Sequence, residues 1–165
     1  MNRPVPDLAM PWQESVWTFP RPSIAQPVQA HLRVVLDGRT IAETRRGVRT
    51  IETNHPPTYY FPPDDVAPGA LRPVGGTSFC EWKGSAVYFD VVSGDVVRSR
   101  AAWAYPDPTA SFADIRDHVA FYAAAIDACF VNGEQVVPQP GGFYGGWITS
   151  RVAGPFKGIP GSQGW

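Results

Sequence analysis

The sequence predicts a mainly β fold (α+β): a compact antiparallel domain with one helix and ordered extensions at both ends. Three observations carry this. Short runs of alternating apolar residues recur between turn dipeptides such as Asp37-Gly38 and Asn132-Gly133, the pairs that close tight hairpins. The 18 prolines and 16 glycines favour turns over long helices. Apolar residues recur at helical spacing in just one stretch, near residues 111–124.

Residues 1–30 lack periodicity and are rich in proline, which disfavours helix in its predecessor, so an extended path is expected. Trp12, Trp17 and Phe19 are the side chains expected to pin this extension onto the body. In "HLRVVLDGRTIAET" (31–44), Leu32, Val34 and Leu36 alternate ahead of the Asp37-Gly38 turn, and "GVRTIET" (47–53) continues as a strand. "HPPTYYFPPDDV" (55–66) brackets Tyr59 and Tyr60 with two proline pairs. These fix φ on both sides and lower the entropy cost of holding the rings in place. Asp64 and Asp65 are free to cap a turn or accept from an arginine.

Further on, Val87, Phe89 and Val91 share one face of a strand, Tyr88 and Asp90 the other, and a turn falls near Ser93-Gly94. The helix is expected to open at Ser111, three residues before Asp114, and to present Phe112, Ile115, Val119, Tyr122 and Ile126 as one stripe. It should end near Ala124, ahead of a hairpin around Asn132-Gly133. The tail from residue 138 is glycine-rich but spaced with Phe143, Tyr144, Trp147, Phe156 and Trp165, and reads as an ordered wrapping segment.

With 165 residues, 44% hydrophobic and 18% charged, the chain is long enough for one packed domain and too apolar for a disordered one. A net charge of -1 with no basic run argues against nucleic acid or a membrane surface as partner. There is no apolar stretch long enough to span a bilayer and no signal-peptide core, so the expected location is cytoplasmic. Cys80 and Cys129 are too few for a disulfide scaffold and read as free thiols.

At "ETNHPPTYYFPPDDV", "TSFCEWKG", "AAWAYPDP" and "VAFY" the chain resembles the domain of unknown function 427 family, also labelled nucleotidyltransferase-like. The resemblance runs over residues 31–137, between a Pro/aromatic extension (1–30) and a Gly/aromatic segment (138–165) similar to extensions on actinobacterial members. Arg45, Glu52, Pro57, Tyr60, Asp65, Cys80, Lys83, Gly84, Trp103, Tyr105 and Pro108 fall on family-like positions. Glu81 stands where many members have proline, and Thr44 where serine is commoner. The resemblance implies a β-tent-like fold but no particular activity. Nothing in the residues supports nucleotidyl transfer: there is no glycine-rich phosphate loop and no basic stripe. β-tent relatives that bind zinc use two Cys-x-x-Cys pairs. Here Cys80 is followed by Lys83, so no metal and no cofactor is expected.

A pocket is expected where Tyr60, Trp103 and Tyr105 supply an aromatic wall, Arg45 and Lys83 cationic donors, and Glu52 or Asp65 an acceptor that orients the arginine. The partner is then an unidentified small molecule. The bland alternative makes these rings ordinary core. Cys80 is either a nucleophile activated by Lys83 or a small buried residue beside a turn. His55 reads as a turn residue rather than a proton donor, and His31 and His118 have no motif around them. Two further functions remain open. One is an enzyme using the same cleft, through Cys80 or through Glu52 and Lys83 as acid and base. The other is an interaction module whose tail aromatics meet a partner protein or a second copy, as in a homodimer.

Overall fold

The computed structural model describes residues 3–165. Antiparallel sheets, none closed into a barrel, pack around a shared core. The largest is a meander of Leu71–Cys80, Gly84–Ser93, Val96–Ala104 and Val119–Phe121. A second four-stranded sheet runs Glu134–Gln135, Ala128–Val131, Leu32–Leu36, Arg39–Thr44. It joins the two look-alike hairpins side by side, with Ala128 opposite Val35 and Val131 opposite Leu32. Both turns are of the kind their dipeptides predict: Asp37 and Gly38 have φ of 54° and 69°, Asn132 and Gly133 49° and 81°. A third sheet of three strands orders Ile24–Pro27, Val48–Ile51, Thr58–Tyr60.

Strand periodicity divides the side chains between two compartments. Tyr59 and Phe61 face the main core with Val119, Phe121, Leu32, Val34 and Leu36, while Tyr60 between them faces away. Trp103 stands opposite Tyr88 on one side and Ala120 on the other. Tyr60, Trp103, Tyr105 and Ala120 thus form a second, smaller cluster with Phe112 and Ile115.

The helix is shorter than its stripe implies. Ala110–Ile115 is a 3-10 helix, Val119–Phe121 is a strand, and Ala123–Ala125 is a single 3-10 turn. Ser111 is not the cap. Thr109 precedes the first turn, and its hydroxyl donates instead to the Trp82 carbonyl at 2.5 Å. Helical propensity loses here because residues 119–121 complete the edge of the meander beside residues 102–104, and Asp117 at φ 58° turns the chain into that pairing. The stripe residues are nonetheless buried or half-buried, since Phe112, Ile115, Val119 and Ile126 reach the two clusters by different routes.

The strand Leu71–Cys80 has no clear signature in the sequence. It contains Pro73, Gly75 and Gly76, carries a bulge between Val74 and Thr77, and is mostly exposed, as an edge strand guarded against further pairing would be.

The extensions are knitted into the fold. Ile24–Pro27 pairs with Val48–Ile51, and Glu14–Ser15 pairs in parallel with Val152–Ala153. Phe19 is buried in this seam. Trp17 donates its indole N–H to the Pro155 carbonyl at 2.9 Å and packs against Trp165. Trp12 is about half exposed and belongs to none of the core clusters. In the tail, Trp147 is fully buried with its indole donating to the Phe121 carbonyl at 3.0 Å, whereas Phe143 is exposed. Among the described residues no helix is long and apolar enough to cross a membrane.

Candidate functional site

The aromatic face of the second cluster opens into a cleft of about 450 Å³, within the range of roughly 300–1,000 Å³ usual for small-molecule sites. Glu52, Tyr60, Cys80, Lys83, Trp103 and Tyr105 all line it. Arg45 does not: it lies exposed in the bend after Arg39–Thr44, away from the cleft. Asp65 is likewise engaged elsewhere. It accepts from the Thr44 hydroxyl at 2.6 Å and from Arg46, not Arg45, at 3.2 Å, fixing the turn that follows the Tyr59-Tyr60 strand.

The meander supplies one wall. Tyr88 is held by a hydroxyl–hydroxyl hydrogen bond to Ser78 at 2.6 Å and by the Arg100 guanidinium 4.2 Å above its ring. Arg100 is itself anchored, its backbone N–H donating to Asp90 at 2.8 Å and its side chain to the Gly75 carbonyl at 2.8 Å. Trp103 packs at 4.4 Å, centroid to centroid, against Tyr122 and edge-on to Tyr60. Burial pushes the Tyr60 and Tyr105 phenols well above their ordinary range, so both remain neutral donors at any physiological pH.

Lys83 sits in the turn between the two longest strands. The turn is tied down by the Thr109 amide, which donates to the Lys83 carbonyl at 3.0 Å. Gly84 ends it at φ 108°, where a side chain would be strained and would press on the Asp107 carbonyl. The Lys83 ammonium lies 4.0 Å from the Cys80 sulfur and 5.5 Å from the Phe112 ring centre. Among the described residues it has no carboxylate within 4.0 Å. Cys80 is half-buried at the cleft wall. Cys129 is buried in the core, where desolvation pushes its thiol up to about 12 and leaves it inert.

The third wall was not legible as such. His55, read from the sequence as a turn residue, does close a turn through its backbone, but its ring enters the cleft. Buried Gln139 fixes that ring. Its amide oxygen accepts from the Gly146 N–H at 3.1 Å, while its nitrogen donates to the Lys157 carbonyl and to His55 Nδ1, each at 2.9 Å. The amide orientation is therefore determined, Nδ1 must accept, and the ring proton resides on Nε2. Nε2 faces the Glu52 carboxylate at 3.7 Å. Burial, with Lys157, Lys83 and Arg21 nearby, depresses the His55 pKa from 6.5 to about 4. Burial raises that of Glu52, against the opposing pull of the same three cations. Tyr144 stacks edge-on to His55 at 4.9 Å. Gly145 lies so close to the Trp103 ring that a Cβ would fall 2.1 Å from it.

Sequence reasoning thus missed His55, Gln139, Tyr144, Lys157 and Tyr122. Tyr122 had a local signal, since Val119 and Phe121 alternate against Ala120 and Tyr122 as in a strand. Gln139 and Lys157 had none. Among the described residues no cluster of three or more His, Cys, Asp or Glu side chains is placed to hold a metal ion.

The site is thus a preorganised aromatic cleft at the junction of a β meander, a proline-bracketed strand and the C-terminal segment. Residues 24–132 match the family described as Domain of unknown function (DUF427), and the chain belongs to it. No curated protein matches the chain. The Gln139, Tyr144 and Lys157 wall lies beyond the matched residues.

Proposed function

We propose that the protein binds a small molecule in this cleft. One observation carries the reading: Tyr60, Trp103, Tyr105, Tyr122 and Tyr144 converge with Glu52, His55 and Lys83 on a single concavity of about 450 Å³. A cavity that mixes aromatic rings with fixed polar groups orients a ligand while burying much of its surface. The Gln139 hydrogen bonds further support it. Holding one imidazole tautomer with a buried amide serves recognition more directly than folding.

Catalysis in the same cleft is the second reading. It is favoured by the closeness of the Glu52 carboxylate to His55 and of Lys83 to Cys80. Turnover of a ligand once found would distinguish it from binding alone.

The test is thermal melting and tryptophan fluorescence of the native chain across a small-metabolite set, repeated with Tyr144→Ala and Trp103→Phe. Circular dichroism checks that both variants keep the native β signature. Compounds that raise the native melting point and lose that effect in either variant support the reading. Compounds that act equally on all three proteins place binding elsewhere and refute it.

A further inference from the structure

Resting on that reading, we infer that the cleft selects planar aromatic carboxylates that also carry a hydroxyl, with the carboxylate on Lys83 and the hydroxyl between His55 and Glu52. Three features of the cleft lead there.

First, among the described residues the half-buried Lys83 ammonium has no carboxylate within 4.0 Å: its near neighbours are the Cys80 sulfur at 4.0 Å and the face of Phe112 at 5.5 Å, while Glu52 acts on it from farther off. A partly desolvated cation without a direct anionic contact gains when a ligand carboxylate supplies one. Second, the field of the cleft is positive. Lys83, Lys157 and Arg21 all act on Glu52 and His55, and Glu52 is the sole carboxylate lining the cavity among the described residues. Lys83 and Lys157 line the cavity against that single carboxylate, with Arg21 farther off, so a monoanion is favoured over a cation.

Third, His55 Nε2–H and the Glu52 carboxylate face each other at 3.7 Å, beyond the reach of a direct hydrogen bond. Because Gln139 fixes the proton on Nε2, this pair offers one donor and one acceptor at a set place. A hydroxyl, which donates and accepts at once, satisfies both. Carboxylate and hydroxyl are then joined by a flat body that packs among Tyr60, Tyr105 and Tyr122. Aromatic rings suit that slot because they gain contact without losing rotamer freedom.

The experiment uses the full chain and four probes: 3-hydroxybenzoate, 4-hydroxybenzoate, benzoate and 4-hydroxybenzamide. Affinities are measured by calorimetry for the native protein and for Lys83→Gln and His55→Phe, with amide chemical shifts locating each site. We expect one of the hydroxybenzoates to bind in the cleft at least about tenfold more tightly than the amide, the ratio that a charge-assisted hydrogen bond gives. That preference should vanish in Lys83→Gln, and the preference over benzoate should vanish in His55→Phe. Acid and amide binding equally in the cleft, or an acid preference that survives Lys83→Gln, overturns the inference but leaves small-molecule binding standing. So does failure of all four probes when another compound class is found in the cleft. Probe shifts confined to other surfaces overturn both.

Discussion

Acid should destabilise this protein through His55. In the folded chain the ring is held neutral with a pKa near 4, against 6.5 when free. The folded pKa lies below the unfolded one, so His55's contribution is fully present above about pH 6.5 and lost as pH falls toward 4. At roughly 1.4 kcal/mol per pH unit the gap amounts to about 3 kcal/mol, a sizeable part of the ~5–15 kcal/mol stability of a typical domain. The groups facing the ring are Glu52 across the turn, Gln139 and Tyr144 from the tail, and the more distant Lys83, Lys157 and Arg21. Glu52 works in the opposite sense. Its raised pKa favours the protonated folded form, a gain that grows as pH falls and offsets part of the loss. The assay is urea unfolding at half-unit steps from pH 7.5 to 4.5, for native protein and His55→Gln. The difference between the two stabilities should shrink steadily below pH 6.5. Parallel curves across the window, or a His55 ring resonance that titrates near 6.5, would refute the reasoning.

Three other consequences are directly measurable. Gly145→Ala should displace the Trp103 ring, since the added carbon would fall 2.1 Å from it; the melting point should drop and the tryptophan emission change, whereas Gly133→Ala, in open space at a turn, should leave the emission unchanged. Trp147→Phe keeps much of the buried ring but leaves the Phe121 carbonyl without its indole donor, costing about 1–3 kcal/mol in denaturant unfolding; Trp147→Ala should cost more, about 3–5 kcal/mol. Glu14→Gln weakens a two-pronged contact to Arg49, at 2.7 and 2.9 Å, but at a half-exposed carboxylate. Its cost should stay below about 1 kcal/mol and fade at high salt.

How much of this was legible in the sequence depended on how local the cause was. The Asp37-Gly38 and Asn132-Gly133 turns carry their left-handed geometry in two residues, so both hairpins could be read directly. Tyr60, Trp103 and Tyr105 were legible by residue type and family-like position, but the proline-bracketed stretch that reads as a rigid loop is in part a strand, Thr58–Tyr60, whose alternation sends Tyr60 to the face opposite Tyr59. The stretch 111–124 misled because an apolar pattern that fits 3.6 residues per turn also fits a 3-10 turn followed by a short strand. What decided between them was a distant partner, the edge at residues 102–104. Arg45 was drawn toward the pocket by its charge and its family-like position, yet the bend after the strand ending at Thr44 leaves it exposed. The Gln139–His55 bond joins residues 84 apart and has no signature in spacing. Nor does the docking of the tail, which brings Tyr144, Gly145 and Lys157 over a cleft that residues 24–132 build only in part.

The measurement that bears most directly on the central claim is amide chemical-shift mapping of the native chain with any compound that raises its melting point. Ligand binding in the cleft predicts shifts that cluster at Glu52, His55, Lys83, Trp103 and Tyr144, drawn from separate stretches of chain that meet only there. Shifts that avoid these residues and gather on the exposed edge at 71–74, outside the cleft, would contradict it.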